Sequence, residues 1–192
     1  MITDISTLLQ LDTLALSKEL LGWTLTLSSE EGTTSGIIVE TEAYLQDDPA
    51  CHAYRKKSTR NAPMFGQAGT IYVYQIYGMH YCVNIACNQE NIGEAVLIRA
   101  LEPTQGIELM QERRNSLILK NLCSGPAKLV QAMGIHKDMN FWTIQQSNLS
   151  ILPPQSNIAE NDIVTTTRIG ITQGADLRYR FYIKNNPFIS RR

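Results

Sequence analysis

The sequence predicts an α+β fold built on a mainly antiparallel β-sheet. Runs rich in Val, Ile, Thr and Tyr fall in hairpin-length pairs rather than in regular alternation with helices. Helical spacing is confined to short segments between them. A length of 192 residues with 43% hydrophobic and 18% charged residues suits one substantial core and is short for two, so a single domain over 1–192 is expected.

From Asp12 to Leu21, DTLALSKELL spaces its leucines and alanines as a helix does, with Asp or Thr for the N-cap and Gly22 where a C-cap glycine falls. WTLTLSS and SGIIVETEAY flank EEGTT and read as the strands of a hairpin. GTIYVYQIYGMHYCVNIAC, broken near Gly78, supplies a second strand group and AVLIRALEP a third. After Pro103, TQGIELMQERR has helical character, and SGPAKLVQAMGI has a stronger helix start, with Ser as cap and Gly-Pro in the first turn. The Asn- and Gln-rich stretch 145–157, closed by Pro153 and Pro154, is expected to be a long surface loop. DIVTTTRIGI and RYRFYI, separated by QGAD, read as the last strands.

No window reaches the roughly eighteen apolar residues of a membrane span, and the start MITDISTLLQLD is acidic where a signal peptide is basic, so a soluble cytoplasmic protein is expected. Cys51, Cys82, Cys87 and Cys123 show no CxxC spacing and read as reduced structural thiols. His52 has no second histidine at ligand spacing, and GxSxG, GxGxxG and P-loop patterns are missing, so neither a metal nor a nucleotide cofactor is expected. The net charge of -1 hides an asymmetry: residues 1–50 carry one Lys or Arg against nine Asp or Glu, and the basic excess lies after them. RKKSTR (55–60) and the final arginine pair could meet phosphates or simply form a solvated face.

Two clusters could carry chemistry. In SGIIVETEAY, a period of two puts Ile38, Glu40, Glu42 and Tyr44 on one face and Ile37, Val39, Thr41 and Ala43 on the other. A carboxylate at a pocket mouth can act as a general base when a partner holds it, and Arg99 is the candidate cation; the ordinary alternative is a solvent-facing strand with two plain glutamates. Tyr72 and Tyr74 share a strand face and Tyr77 stands near a Gly-bearing turn, which suits either a sheet edge or a stacking platform for a planar ligand with an aromatic wedge. SGPAKL opens a helix whose free N–H groups, with Lys128, could receive a phosphate.

VETEAYLQDDPACH, NAPMFGQAGTIYVYQIYGMHYCVN, LIRALEP, LCSGPAKLVQAMGI and RFYIKNNPFIS, in that order, resemble the alkyladenine DNA glycosylase family. The resemblance implies a curved sheet flanked by helices, like the C-terminal domain of methionyl-tRNA formyltransferase. It implies a monofunctional enzyme, without cofactor or metal, that flips damaged purines such as 3-methyladenine, hypoxanthine or ethenoadenine from double-stranded DNA and hydrolyses the N-glycosidic bond. Glu42 then matches the general base and Arg99 the arginine that helps hold the water. Tyr44, His52 and Tyr74 match the walls around the flipped base, Asn84 the pocket floor, and Tyr77 the wedge in the minor groove. Arg55, Lys56, Lys57, Arg60 and Lys128 are candidates for phosphate contacts. A monomeric bacterial member acting at the nucleoid is expected, without a membrane or an obligate protein partner. The sequence departs from the family in a short QGADLRY before RFYI and in the lack of a long N-terminal extension. Two alternatives use the same residues: a non-catalytic nucleic-acid-binding module, which needs neither Glu42 nor Arg99, and a carbohydrate glycosidase with Glu40 and Glu42 as its pair.

Overall fold

The computed structural model describes residues 2–144 and 147–191. Two short helices open the chain, α1 (Ile5–Leu8) and α2 (Thr13–Glu19). Asp12 caps α2 by accepting the Ala15 N–H at 2.8 Å, as its position in the sequence suggests. Thr13, Leu16, Ser17 and Leu20 lie on its buried side, spaced to form one helical stripe. α1 is an additional helix, a four-residue turn capped by Asp4.

The sheet has eight strands among the described residues: β1 (Thr24–Ser29), β2 (Gly32–Tyr44), β3 (Ile71–Ile76), β4 (His80–Ala86), β5 (Ala95–Gln105), β6 (Leu149–Leu152), β7 (Ile163–Thr166) and β8 (Arg180–Ile183). Their order is β3-β4-β5-β2-β1-β6, with β8 on β2 and β7 on β8, and every pairing is antiparallel. β2 is the spine. One of its edges carries β5, while the other is shared by β1 along its first half and β8 at Glu40–Glu42. The α+β architecture with an antiparallel sheet is therefore as the sequence predicts.

The strict period of two along β2 does not hold. The register against β5 shifts between Ile38 and Glu40 and again between Glu40 and Thr41. Such bulges break the alternation. Ile38 and Ala43, of opposite parity, both join the main core, whereas Val39 packs with Ala100 and Ile189 in a separate small cluster. Ile38 is thus separated from Glu40, Glu42 and Tyr44. Nor is the carboxylate-bearing face open to solvent, because Glu40 and Glu42 have no exposed surface.

Helices α3 (Ile107–Arg114) and α4 (Pro126–Met133) follow β5. β5 runs past Pro103 to Gln105, so Thr104 and Gln105 belong to the strand rather than to the helix. The turn into α3 falls at Gly106, whose φ is +70° and where a Cβ would stand 2.3 Å from the Thr33 carbonyl oxygen, so only glycine fits. In α4 the cap position is Gly125, one residue beyond the expected Ser124, and Ser124 Oγ instead receives Lys128 Nζ at 3.4 Å.

The expected loop at 145–157 contains β6, which pairs with β1; Leu149 and Ile151 enter the core on alternate positions, and Asn and Gln neighbours mask that alternation. Residues 145 and 146, and Arg192 of the final arginine pair, lie outside the described residues. DIVTTTRIGI is a strand only over Ile163–Thr166, after which Arg168–Ile171 turn away from the sheet; RYRFYI is likewise shortened to Arg180–Ile183. The core joins Leu16 of α2, Leu20 at its C-cap, Trp23, Ile98 of β5 and Leu129 of α4. No described helix is long and apolar enough to cross a membrane.

Candidate active site

A cavity of about 350 Å³ opens beside the ends of β2, β3, β4 and β5, a size typical of small-ligand sites. Tyr44, His52, Tyr74, Tyr77, Asn84 and Arg99, all singled out in the sequence, line it together. Arg60 lines it as well. Arg55, Lys56 and Lys57 are exposed outside it, and Lys128 is half-buried beside Ser124.

Glu42 lies behind the lining residues, and its carboxylate is held from several directions. Oε1 accepts the Ile169 N–H at 2.9 Å and lies 3.3 Å from Arg99 Nη1, while Oε2 accepts the Tyr44 hydroxyl at 2.7 Å. Burial and then the adjacent Glu42 charge raise the Tyr44 pKa far above its ordinary value, so the phenol stays protonated and donates. Arg99 also donates to Glu40 through Nε at 3.1 Å. Burial alone would lower the Arg99 pKa, but Glu42 and Glu40 outweigh it and raise it, so this guanidinium is charged throughout.

Glu40 has a different environment. Its carboxylate accepts Arg99 Nε, Arg180 Nε at 2.7 Å, Ser190 Oγ at 2.8 Å and the Ser190 N–H at 2.6 Å. Three of these donors converge on Oε1 and the Ser190 N–H takes Oε2, so the charge of Glu40 is shared between two guanidiniums and Ser190. Neither glutamate lines the cavity itself, but the partners of Glu42 (Tyr44, Arg99 and Ile169) all do, whereas Arg180 and Ser190 beside Glu40 do not, so the two carboxylates do not face one site as a glycosidase pair must.

The aromatic walls come from two elements. His52 follows β2 in a turn, its outer edge exposed and its ring against Tyr74 at 4.6 Å, nearly perpendicular. Its Nδ1 is 2.9 Å from the Tyr72 hydroxyl. Partial burial of the ring, and then Arg60, lower the His52 pKa, which favours neutral imidazole. Burial pushes Tyr72 up to about 12. Tyr72 thus shares a wall with Tyr74 and also anchors His52. Arg60 lies over the Tyr74 ring at 5.9 Å. Asn84, also in the cavity lining, donates to the Tyr72 carbonyl at 3.1 Å, across the β3–β4 pair. Tyr77, 83% exposed with a φ of 51°, stands at the tip of that hairpin beside Gly78.

Sequence reasoning did not find Ile169, Gly170 and Ile171, which line one side because the chain leaves the sheet after β7. It also treated Cys82 only as a structural thiol, although Cys82 lines the cavity. The four thiols are buried and free, and no cluster of three metal-ligating side chains occurs among the described residues.

Residues 7–187 match the family model described as methylpurine-DNA glycosylase. The chain is 50% identical over 183 residues to a protein of Methanoculleus marisnigri, covering 94% of this chain and 95% of that one. It is 49% identical over 191 residues to one of Francisella tularensis, covering 98% and 99%, and 47% identical over 181 residues to one of Carboxydothermus hydrogenoformans, covering 94% and 95%. All three are provisionally named as 3-methyladenine DNA glycosylases. With the family match running through nearly every element that builds the cavity, the chain belongs to the methylpurine-DNA glycosylase family, hydrolases of N-glycosyl bonds in DNA.

Proposed function

We propose that this protein is a monofunctional glycosylase that flips alkylated or deaminated purines out of duplex DNA and hydrolyses their N-glycosidic bond with a water activated by Glu42. The observation that carries this reading is the acceptor shell of Glu42. Oε1 is occupied by Ile169 and Arg99, whereas Oε2 has Tyr44 alone as its hydrogen-bond partner among the described residues and retains an acceptor position, and all three partners line the cavity.

Extruding a base costs a few kcal/mol, least for a damaged or mispaired one, so the duplex itself supplies part of the selection. Tyr77 at the exposed hairpin tip fills the gap in the minor groove, and the extruded purine stacks among Tyr44, His52 and Tyr74. Asn84 is tethered to the Tyr72 carbonyl, so it cannot readily swing aside for the exocyclic amine of guanine. In the reaction, Glu42 takes a proton from water as the water oxygen bonds to C1′, and the C1′–N bond breaks with its electron pair leaving on the base. A cationic 3-methyladenine departs neutral. Hypoxanthine needs a proton from the site or solvent, and ethenoadenine makes the same demand.

No lysine lines the cavity among the described residues, which supports hydrolysis rather than a covalent lyase step. Arg55, Lys56, Lys57, Arg60 and Lys128 would meet the phosphates of the duplex, and the enzyme would act as a monomer. The test is release of base from duplexes carrying a single hypoxanthine, ethenoadenine or 3-methyladenine, scored by alkali cleavage of the abasic product. Excision of at least one lesion is expected. Tight binding with all three lesions left in place would replace this reading with a non-catalytic DNA-binding module.

A further inference from the structure

We propose that Arg168 is a positioning residue that holds the Tyr44 wall and the acceptor shell of Glu42 as one rigid unit. The proposal rests on Glu42 being the base. Arg168 does not line the cavity and its side chain is fully buried, so it has no direct contact with a bound purine. Its guanidinium instead ties three segments together behind the wall.

The first segment is the end of β2. Nη1 donates at 2.9 Å to the carbonyl of Ala43, the residue between Glu42 and Tyr44. The guanidinium also stacks 4.6 Å from the centre of the Tyr44 ring and 5.3 Å from that of Tyr179. The second segment is the turn leading to His52. Asp48 is gripped by both terminal nitrogens, Nη2 reaching Oδ1 at 3.0 Å and Nη1 pairing with Oδ2. Asp48 in turn fixes the turn by accepting the Ala50 N–H on Oδ1 at 3.0 Å. The third segment is the chain after β7, where Arg168 itself immediately precedes Ile169, the donor to Glu42 Oε1, and where Nη2 reaches the Gly174 carbonyl at 3.3 Å.

A buried ion pair is weak evidence for stability, because apolar residues of similar size can replace one at little loss. A planar fork bonded at fixed angles to a carboxylate and two carbonyls does something an apolar residue cannot, which is to set the position of each partner relative to the others. Here those partners carry the ring that packs on the base, the turn that presents His52 and the N–H that orients the base carboxylate.

The experiment is single-turnover excision of hypoxanthine with enzyme in excess, beside affinity for a duplex carrying the abasic product. The rate constant at saturating enzyme reports the folded molecules, whereas a misfolded fraction only raises the enzyme concentration needed to saturate. Arg168→Met is expected to slow excision by roughly 100-fold, the scale of an ångström-sized misplacement of reacting groups, with product affinity little changed. Arg168→Lys keeps the charge without the fork and should recover only part of the rate. Asp48→Asn should slow excision in the same sense, and the double variant Arg168→Met/Asp48→Asn should be no slower than Arg168→Met alone, as expected for one coupled unit.

An unchanged rate constant in Arg168→Met, or a loss matched by an equal loss of DNA affinity, would overturn the proposal. If Arg168→Met does not fold, Asp48→Asn decides by the same criteria. Wild type that releases none of the lesion bases is a different failure: it removes the Glu42 reading, and this one with it.

Discussion

Glu40 and Glu42 show how little a residue type decides by itself. They stand two positions apart on one strand, and both are fully buried. Glu40 is held by Arg99, Arg180 and Ser190, the last two outside the cavity, while Glu42 sits directly behind the cavity wall with all its partners in that wall. Glu40→Gln removes the charge that two buried guanidiniums share, and should destabilise the protein by about 3–5 kcal/mol in urea unfolding. His52 gives a pH signature. Its folded pKa lies below the ordinary 6.5, so the unfolded chain binds the proton more readily. Stability should therefore be constant with respect to this group above about pH 6.5 and fall as pH drops from there toward the lowered value. His52→Gln should flatten that part of the thermal-midpoint profile. Glu42, Arg99 and the tyrosines were legible because they stand in long motifs. The Tyr72–His52 bond was not, because it joins residues twenty apart through tertiary contact and no spacing rule reaches that far.

At the scale of elements, the N-cap of α2 and the paired strands could be read directly, since caps and hairpins are local. Asp12→Ala should cost about 1 kcal/mol by loss of the bond to the Ala15 N–H, measured in the same urea titration. The bulges in β2 were hidden, and for a physical reason. A sequence shows alternation, but the extra residue at Val39 on β2, and the one at Arg99 on β5 that follows it, are defined only by how the two strands pair. That displacement puts Val39 on the minor cluster and leaves Ile38 in the main core. The chain after β7 was hidden in the same way. TTTRIGI has the composition of a strand, yet Arg168 is drawn off the sheet by Asp48 and by the carbonyls of Ala43 and Gly174, which brings Ile169 to Glu42.

Over the whole molecule, the antiparallel class was legible because it depends on the order of strand pairs rather than on their edges. The sheet gathers its chemistry at one place: the ends of β2, β3, β4 and β5 and the chain after β7 meet around a single cavity. Charge is distributed unevenly along the same chain, with one basic residue against nine acidic ones in the first 50 positions. DNA affinity carried by the later, basic part should fall with salt. Replacing Arg55, Lys56 and Lys57 together by Gln should reduce the slope of log affinity against log salt by about 0.9 for each phosphate that is no longer neutralised, measured by titration across salt concentrations.

The central claim is that Glu42 activates the attacking water, and the most direct measurement compares wild type with Glu42→Gln on the same lesion-bearing duplex under single turnover. Glu42→Gln keeps the shape of the side chain and its oxygen acceptor while removing the base. The account predicts that base release disappears while binding to the duplex persists. Excision by Glu42→Gln at a rate near that of wild type would contradict it.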